Sequence, residues 1–549
     1  MRFLLLISLF AATGVSLAED RPNFLFLFAD DWGRHASIYG EAAAGGVNDV
    51  VSTPTFDRIA RDGVLFNYAH VSAPSCTPCR TAVITGQHFW RTGTGSILLG
   101  AVYPDHIPGF PDLLRDAGYH IGYTYKVWAP GTPRDAPFTA DEQYHDAGTR
   151  FNGFSQNVTK LLAGGQLLDE AKEELLNEVR GNFRAFLADQ EEGQPFCYWF
   201  GPTNVHRKWI KGSGKALWGI DPDSLKGKMP AFLPDVPAVR QDLADYLGEV
   251  AAWDASMAVI LEELEKSGQS DNTLIAVSGD HGAPGFPHGK CNLYDFGTGV
   301  ALAVSGPGVK GGRIVDDLTS LTDLAPTFLA AAGLDVPGEM TGRSLWPVLE
   351  SGKEGLIDET RTRVFTGRER HVDSARADFM PYPQRCIRTH DYALIVNFRP
   401  DRWPMGDPYG LEDGESPSKD DLENDTRITL RDEDAGPTKA WLVGARGEEA
   451  WKSHFDWVYG KRPKYELYDL SKDPDETQNV ADDPDYKSIR ARLEAELLAE
   501  LKATGDPRLV EDGKFFETSP MSDPAKPMVR PKPKSKAKSQ PNGKANAKR

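Results

Sequence analysis

Residues 22–33 read Pro22-Asn23-Phe24-Leu25-Phe26-Leu27-Phe28-Ala29-Asp30-Asp31-Trp32-Gly33, and the fold turns on that stretch. Asn23 to Ala29 is an almost uninterrupted apolar run of strand length. A half-solvated strand alternates polar and apolar side chains, so a run without alternation predicts a strand buried on both faces. It stops on two adjacent acids, Asp30 and Asp31. Carboxylates at the end of a buried strand are costly unless a cation neutralises them, and the carboxyl edge of an α/β sheet is where ligands bind. Asp-Asp alone also fits a solvated turn. A second instance tips the reading, because the run Thr273–Ser278 ends on Gly279-Asp280-His281-Gly282.

Working outward, Phe196–Gly201 is a third apolar run, and short strands are predicted near Val64–His70 and Val300–Val304. Helical patterns at Thr55–Arg61, Phe110–Ala117, Leu168–Ala188, Val239–Lys266 and Leu324–Ala332 separate them. Strands alternating with helices give an α/β domain over residues 20–345, its sheet covered by helices as in parallel sheets. A chain of 549 residues exceeds one core, and the texture changes after Val364. Residues 401–440 are rich in Asp, Glu, Gly, Pro and Ser and read as a long acidic loop. Tyr465–Leu470 and a helix over about 486–503 then complete a smaller domain, residues 346–515.

The ends read differently. Residues 1–18 carry Arg2, an apolar run too short to span a bilayer, and Ser16-Leu17-Ala18, which predicts a cleaved signal peptide and a secreted or periplasmic protein. No later run is long enough for a membrane anchor. Residues 516–549 form a basic tail whose last part, 526–549, lacks acids and is Pro-, Lys- and Ser-rich, a composition that predicts disorder. The whole chain nevertheless carries a net charge of −18, so the folded body is strongly acidic and argues against nucleic-acid binding. Cys76, Cys79, Cys197, Cys291 and Cys386 are an odd set for an exported chain and lack disulfide-framework or zinc-site spacing, which flags one special thiol.

That thiol is Cys76. Residues 72–86 read Ser-Ala-Pro-Ser-Cys-Thr-Pro-Cys-Arg-Thr-Ala-Val-Ile-Thr-Gly. Pro78 is suited to the first turn of a helix, which puts Cys76 at a helix N-terminus, where free amides and the dipole favour an anion. Cys-Thr-Pro alone fits a buried thiol, and Cys76-x-x-Cys79 fits a redox pair, though no thioredoxin-like context surrounds it. With Arg80, Thr85 and Gly86 in register, the run resembles the type I sulfatases of the alkaline phosphatase superfamily. The resemblance implies a large mixed sheet sandwiched by helices, plus a smaller C-terminal α+β domain with an antiparallel sheet. It also implies that a maturation enzyme oxidises Cys76 to formylglycine, whose hydrate attacks sulfur and later expels sulfate.

Further roles follow from the same resemblance. Asp30, Asp31, Asp280 and His281, with the Cys76-derived group, are the implied calcium ligands; His281 stands where many relatives have Asn, and a nitrogen donor is less typical of calcium. Arg80, Lys126 and Lys290 are the implied cations around the sulfate, and His206 the implied acid for the leaving group. Trp128 occupies the position where relatives carry the histidine that deprotonates the hydrate, so another base, His288 among the candidates, or a group on the metal has to serve. Asn204-Val205-His206-Arg207, Phe286-Pro287-His288-Gly289-Lys290 and Glu466-Leu467-Tyr468-Asp469 bring the chain nearest to the N-sulfoglucosamine sulfohydrolase branch. The expected substrate is a sulfated carbohydrate, with His288, Arg207, Arg370, His371 and Trp128 expected to contact it. Arg368, Arg370, Arg385 and Arg388 form a basic cluster that fits either substrate anions or a paired structural network. O-sulfate hydrolysis, phosphoester or phosphonate hydrolysis, and non-catalytic polyanion binding with an unmodified Cys76 are the alternatives.

Overall fold

Asn23–Ala29 lies between Phe196–Gly201 and Thr273–Gly279, parallel to both, and His120–Tyr125 extends the parallel set. This computed structural model describes residues 21–411 and 416–517; the expected signal segment, and the expected tail from residue 518 on, lie outside the described residues. Beyond Thr273–Gly279 the sheet becomes mixed. Leu302–Ser305 runs antiparallel to that strand and to Val64–Phe66, and Arg313–Val315 pairs in parallel with Val64–Phe66. A parallel arrangement, as the apolar runs suggested, therefore covers only part of the seven-stranded sheet, and the mixed sheet of the resemblance is what forms. The stretches 64–70 and 300–304 each split between this sheet and a three-stranded one made of Ala69–His70, Gly299–Val300 and Thr319–Ser320.

The apolar run has no alternation because both faces are covered. Phe24, Phe26 and Phe28 pack on the side of helices Phe110–Asp116 and Leu324–Ala331. Leu25, Leu27 and Ala29 pack on the side of Pro54–Asp62, Leu168–Asp189 and Pro237–Lys266. Each such fully buried Phe or Leu contributes about 1.5–3 kcal/mol. Val364–Arg368, Gln384–Arg388, Tyr392–Asn397 and Tyr465–Asp469 form a separate antiparallel sheet. Helix Lys487–Ala503 buries Leu493, Leu497 and Leu501, which recur every four residues on one face. Among the described residues, no helix is long and apolar enough to cross a membrane.

Residues 401–440 depart from the expected acidic loop. They contain the helix Lys419–Asn424 and lead into Pro437–Ala445, and Asp432, Glu433 and Lys439 are buried. Acid-rich composition suggested solvation; instead buried Arg368 and Arg376 pair with Asp432, and the carbonyls of Leu430 and Glu433 accept from Lys439.

Candidate active site

Each of the four parallel strands delivers polar residues at its carboxyl end: Asp30 and Asp31 after Asn23–Ala29, Lys126 after His120–Tyr125, His206 beyond Phe196–Gly201, and Asp280 and His281 after Thr273–Gly279. Tight turns make this possible. Asp31 and Tyr125 adopt left-handed backbone (φ 58° and 72°), a conformation that concentrates at functional sites. Gly201 admits the neighbouring chain, because a Cβ there would lie 1.9 Å from the Lys126 carbonyl oxygen. Facing these ends, helix Cys76–Thr85 starts on Cys76 and closes on Gly86 in the left-handed region (φ 62°).

Asp30, Asp31 and Asp280 are buried, and each has a cation. Lys126 Nζ is 2.6 Å from Asp30 Oδ1, and Lys290 Nζ is 3.2 Å from Asp31 Oδ2. Arg80 donates from Nε to Asp280 (2.8 Å), from Nη2 to Asp30 (3.2 Å), and from Nη1 to the carbonyls of Lys126 and Val127 (both 3.1 Å). Burial opposes ionisation of Asp30, but Lys126 and Arg80 hold its carboxyl well below the usual range. Arg80 was expected to bind sulfate oxygens. It is instead fully buried with four hydrogen bonds to protein, and it clamps three strand ends together.

The same cluster has the donors a divalent cation needs. Donor atoms of Asp31, Cys76 and His281 lie within 4.8 Å of one another, as do those of Asp30, Cys76 and Asp280. Three buried carboxylates suit a hard cation such as calcium, and the His281 nitrogen is the less typical donor. The three acids are already balanced by Arg80, Lys126 and Lys290, so a bound divalent ion makes the cluster net positive and attractive to an anion. The residues fit the metal.

Cys76 Sγ lies 3.5 Å from His281 Nε2 and 4.0 Å from Asp31 Oδ1. Burial and Asp30 push its thiol well above the ordinary value, so an unmodified Cys76 is a neutral, weak nucleophile. Asp31 Oδ2 faces the other partners: Lys290 at 3.2 Å and His206 Nε2 at 3.7 Å. His206 Nδ1 is 2.6 Å from the Arg207 carbonyl and donates to it, while Nε2 accepts from Lys290 Nζ at 3.1 Å. Cys76, Lys126, His206 and Lys290 line one cavity of about 870 Å³, with Arg207, Arg370 and His371 also on its wall.

The strand-to-His206 connection rests on a buried acid. Asn204 donates its side-chain amide to Glu249 (carbonyl 2.8 Å, Oε2 3.2 Å), and burial pushes Glu249 up to about 7. An unfolded glutamate ionises near 4.3. Between those values the folded state holds a proton that the unfolded state has lost, so this contribution to stability is full below the unfolded pKa and is lost as pH rises to about 7. Glu249→Gln removes it. From pH 5 to pH 8 the wild type should lose about 1–3 kcal/mol more stability than the variant. Denaturant midpoints at the two pH values check this; parallel curves would refute it.

Other expected contacts fall elsewhere. Trp128 is fully buried, its Nε1 bonded to Thr81 Oγ1 (2.7 Å) and its ring against Tyr103. His288 is stacked on Tyr294 (3.9 Å) and Phe232 (4.3 Å), off the cavity wall, and burial holds it well below the ordinary histidine range. Neither lines the cavity that Cys76 lines. Both belong to the core because aromatic neighbours surround them. The basic cluster divides: Arg385 is paired with Glu369 and Asp506, Arg388 with Glu476, and Arg368 with Asp432, whereas Arg370 reaches the cavity. Arg207 lines the cavity while held by two bonds to Asp242 (2.8 and 2.7 Å). Ser75 Oγ, beside Cys76, bonds His371 Nδ1 at 2.8 Å. All five cysteines are free, so Cys76 and Cys79 form no disulfide. Asp434 and Arg427 also line the cavity and were not foreseen; they lie in the acid-rich 401–440 stretch, where nothing in the local sequence marks them.

The family model described as Sulfatase matches residues 22–334, and that described as N-sulphoglucosamine sulphohydrolase, C-terminal, matches 282–414. The chain is 28% identical over 526 residues to N-sulphoglucosamine sulphohydrolase from Homo sapiens, spanning 90% of this chain and 92% of the relative. It is 25% identical over 517 residues to an ulvan-active sulfatase from Formosa agariphila, spanning 90% and 77%. Among solved structures, one in complex with D-glucosamine-2-N,6-O-disulfate matches with a TM-score of 0.56 at 18% identity, covering 88% of this chain and 98% of that one. Phosphonate monoester hydrolase of Agrobacterium radiobacter matches with a TM-score of 0.56 at 19% identity, covering 89% and 97%. The structural matches speak to the fold alone.

Proposed function

Given that the chain belongs to the sulfatase family, we propose that it removes sulfate from a sulfated carbohydrate, with an N-sulfated glucosamine as substrate. The observation that carries this reading is the juxtaposition of Cys76 at a helix start with Lys126, His206 and Lys290 on one cavity wall, above three buried carboxylates. The C-terminal family match and the human relative, similar over nine-tenths of both chains, support the N-sulfate branch.

When present, the formylglycine derived from Cys76 supplies the nucleophile, and a calcium ion held by Asp30, Asp31, Asp280 and His281 supplies positive charge at the sulfuryl oxygens. The chain's own residues do the rest. Lys126 and Lys290, fixed by Asp30 and Asp31, hold the sulfate oxygens and stabilise charge that grows on them. Arg80 favours the ionised forms of Asp30 and Asp280 and orients both carboxyl groups. His206, whose Nε2 meets Lys290 Nζ beside Asp31 Oδ2 rather than Oδ1, gives a proton to the departing nitrogen or oxygen. His371 and Arg370 orient the sugar.

Desulfation of N-sulfated and O-sulfated glucosamine fragments in parallel, with an aryl phosphate as a third arm, tests the reading. Release from the N-sulfated fragment is expected. Preferred release from the O-sulfated fragment moves the protein to the O-sulfatases, and phosphate turnover alone would move it to the phosphoester hydrolases. Mass analysis of the Cys76 peptide from the same preparation reports maturation, and a plain thiol throughout would support polyanion binding instead.

A further inference from the structure

Residues 425–440 are fastened to the rest of the protein at several points. Asp432 accepts from Arg368 (2.7 Å), Arg376 (2.8 Å) and the Val372 amide (2.9 Å). Lys439, fully buried, donates to the carbonyls of Leu430 (3.2 Å) and Glu433 (2.8 Å). Thr438 bonds Asp242 through its amide (3.1 Å) and hydroxyl (2.6 Å), the same carboxylate that fixes Arg207. Between these anchors sits Asp434, on the cavity wall.

Its carboxylate is out of keeping with an anion pocket. Asp434 Oδ2 is 3.4 Å from Lys290 Nζ, yet Asp31 already neutralises that lysine. Oδ2 is covered beside Lys290, so the 18% of the side chain that is exposed, where it meets the cavity, leaves the other carboxylate oxygen as the one a substrate group can reach. A negative charge here repels sulfate, so a substrate group that meets Asp434 has to be a hydrogen-bond donor. The order of contacts says which part. Cys76 and His281 meet Asp31 Oδ1; Lys290 and His206 meet Asp31 Oδ2; Asp434 meets Lys290 through its own Oδ2. On the proposed mechanism that sequence runs from Cys76, the source of the nucleophile, to His206, the acid for the leaving group, and Asp434 meets the same Lys290 Nζ as His206.

We propose that Asp434 is a specificity-determining substrate contact, accepting a hydrogen bond from an N–H or O–H that the leaving sugar carries at or beside the scissile atom. The inference rests on the sulfatase reading above. It makes the pocket selective for amino sugars and other donor-bearing leaving groups, over leaving groups without a donor. A sulfamate nitrogen carries such a hydrogen, and the bridging oxygen of an aryl sulfate carries none.

The experiment compares wild type, Asp434→Ala and Asp434→Asn on glucosamine N-sulfate and on 4-nitrophenyl sulfate, with kcat and KM resolved for each. For Asp434→Ala, kcat/KM on the sugar should fall by about ten- to a hundredfold, at least about tenfold more than on the aryl sulfate. Asp434→Asn, which is isosteric and keeps one acceptor oxygen, should recover part of that loss. Equal losses on both substrates would mean that Asp434 only holds Lys290, and no loss on the sugar would mean no contact; either overturns the proposal. A wild type inactive on both substrates overturns the N-sulfated glucosamine reading, and the inference with it. If Asp434→Ala does not fold, the Asp434→Asn ratio between the two substrates decides alone.

Discussion

Cys76→Ala should reduce sulfate release to the background rate while leaving the thermal midpoint almost unchanged. The proposed chemistry begins at the Cβ substituent of residue 76, and alanine has nothing there to mature or to attack with. The rest of the pocket survives the change. Lys126 remains paired with Asp30, Lys290 with Asp31, and Arg80 with Asp280, because none of these bonds passes through the sulfur. Sγ contributes only a 3.5 Å contact with His281 and a 4.0 Å contact with Asp31, so its removal leaves a small polar void costing about 1 kcal/mol or less. Affinity for the sulfated sugar should therefore persist in calorimetry even as turnover vanishes. Cys76→Ser sharpens the result, since serine restores a side-chain oxygen but not the aldehyde, and it too should fail to turn over. Retained turnover in the alanine variant would remove Cys76 from the reaction and leave the cavity as a binding site.

Much of the frame was legible because burial leaves a local signature. Asn23–Ala29 loses its alternation when helices cover both faces, and Asp30-Asp31 at its end is conspicuous against the apolar run. Lys126, His206 and Lys290 were readable as strand-end or loop residues in family order, and the structure brings them onto one cavity. Side-chain direction was not readable. Arg80 lies about one helical turn beyond Cys76, and sequence cannot tell whether such a residue reaches the cavity or the strand ends; it reaches the strand ends. Arg385 and Arg388 fitted anion binding and a paired network equally well because their partners, Asp506 and Glu476, are far along the chain. Asp434 was missed for the same reason. Its contact, Lys290, belongs to another element, and its neighbours in sequence look like any acidic loop. Charged residues whose partners are distant in sequence carry no periodicity, so composition alone assigns them to solvent.

Arg80→Ala should cost both activity and stability. The guanidinium is fully buried, lies over the Phe28 ring at 5.0 Å, and satisfies Asp280, Asp30 and two backbone carbonyls at once. Removing it leaves two carboxylates in a dry interior with one fewer cation, and breaking a buried ion pair in this way costs about 3–5 kcal/mol. The carboxylates can respond by taking up a proton or by moving apart, and either destroys the geometry that holds Lys126 and the candidate calcium site. Activity should therefore fall through kcat rather than through KM. Arg80→Lys preserves the charge but not the planar fork, and one ammonium cannot reach Asp280, Asp30 and both carbonyls together, so an intermediate loss is expected. Added calcium should recover part of the stability of Arg80→Ala, because a divalent ion at the same carboxylates replaces missing positive charge. Denaturant midpoints with and without calcium, measured beside steady-state kinetics, distinguish the two roles open to this arginine. A stable Arg80→Ala protein whose only defect is a raised KM would make Arg80 a sulfate contact after all, whereas destabilisation relieved by calcium identifies it as the clamp on the strand ends.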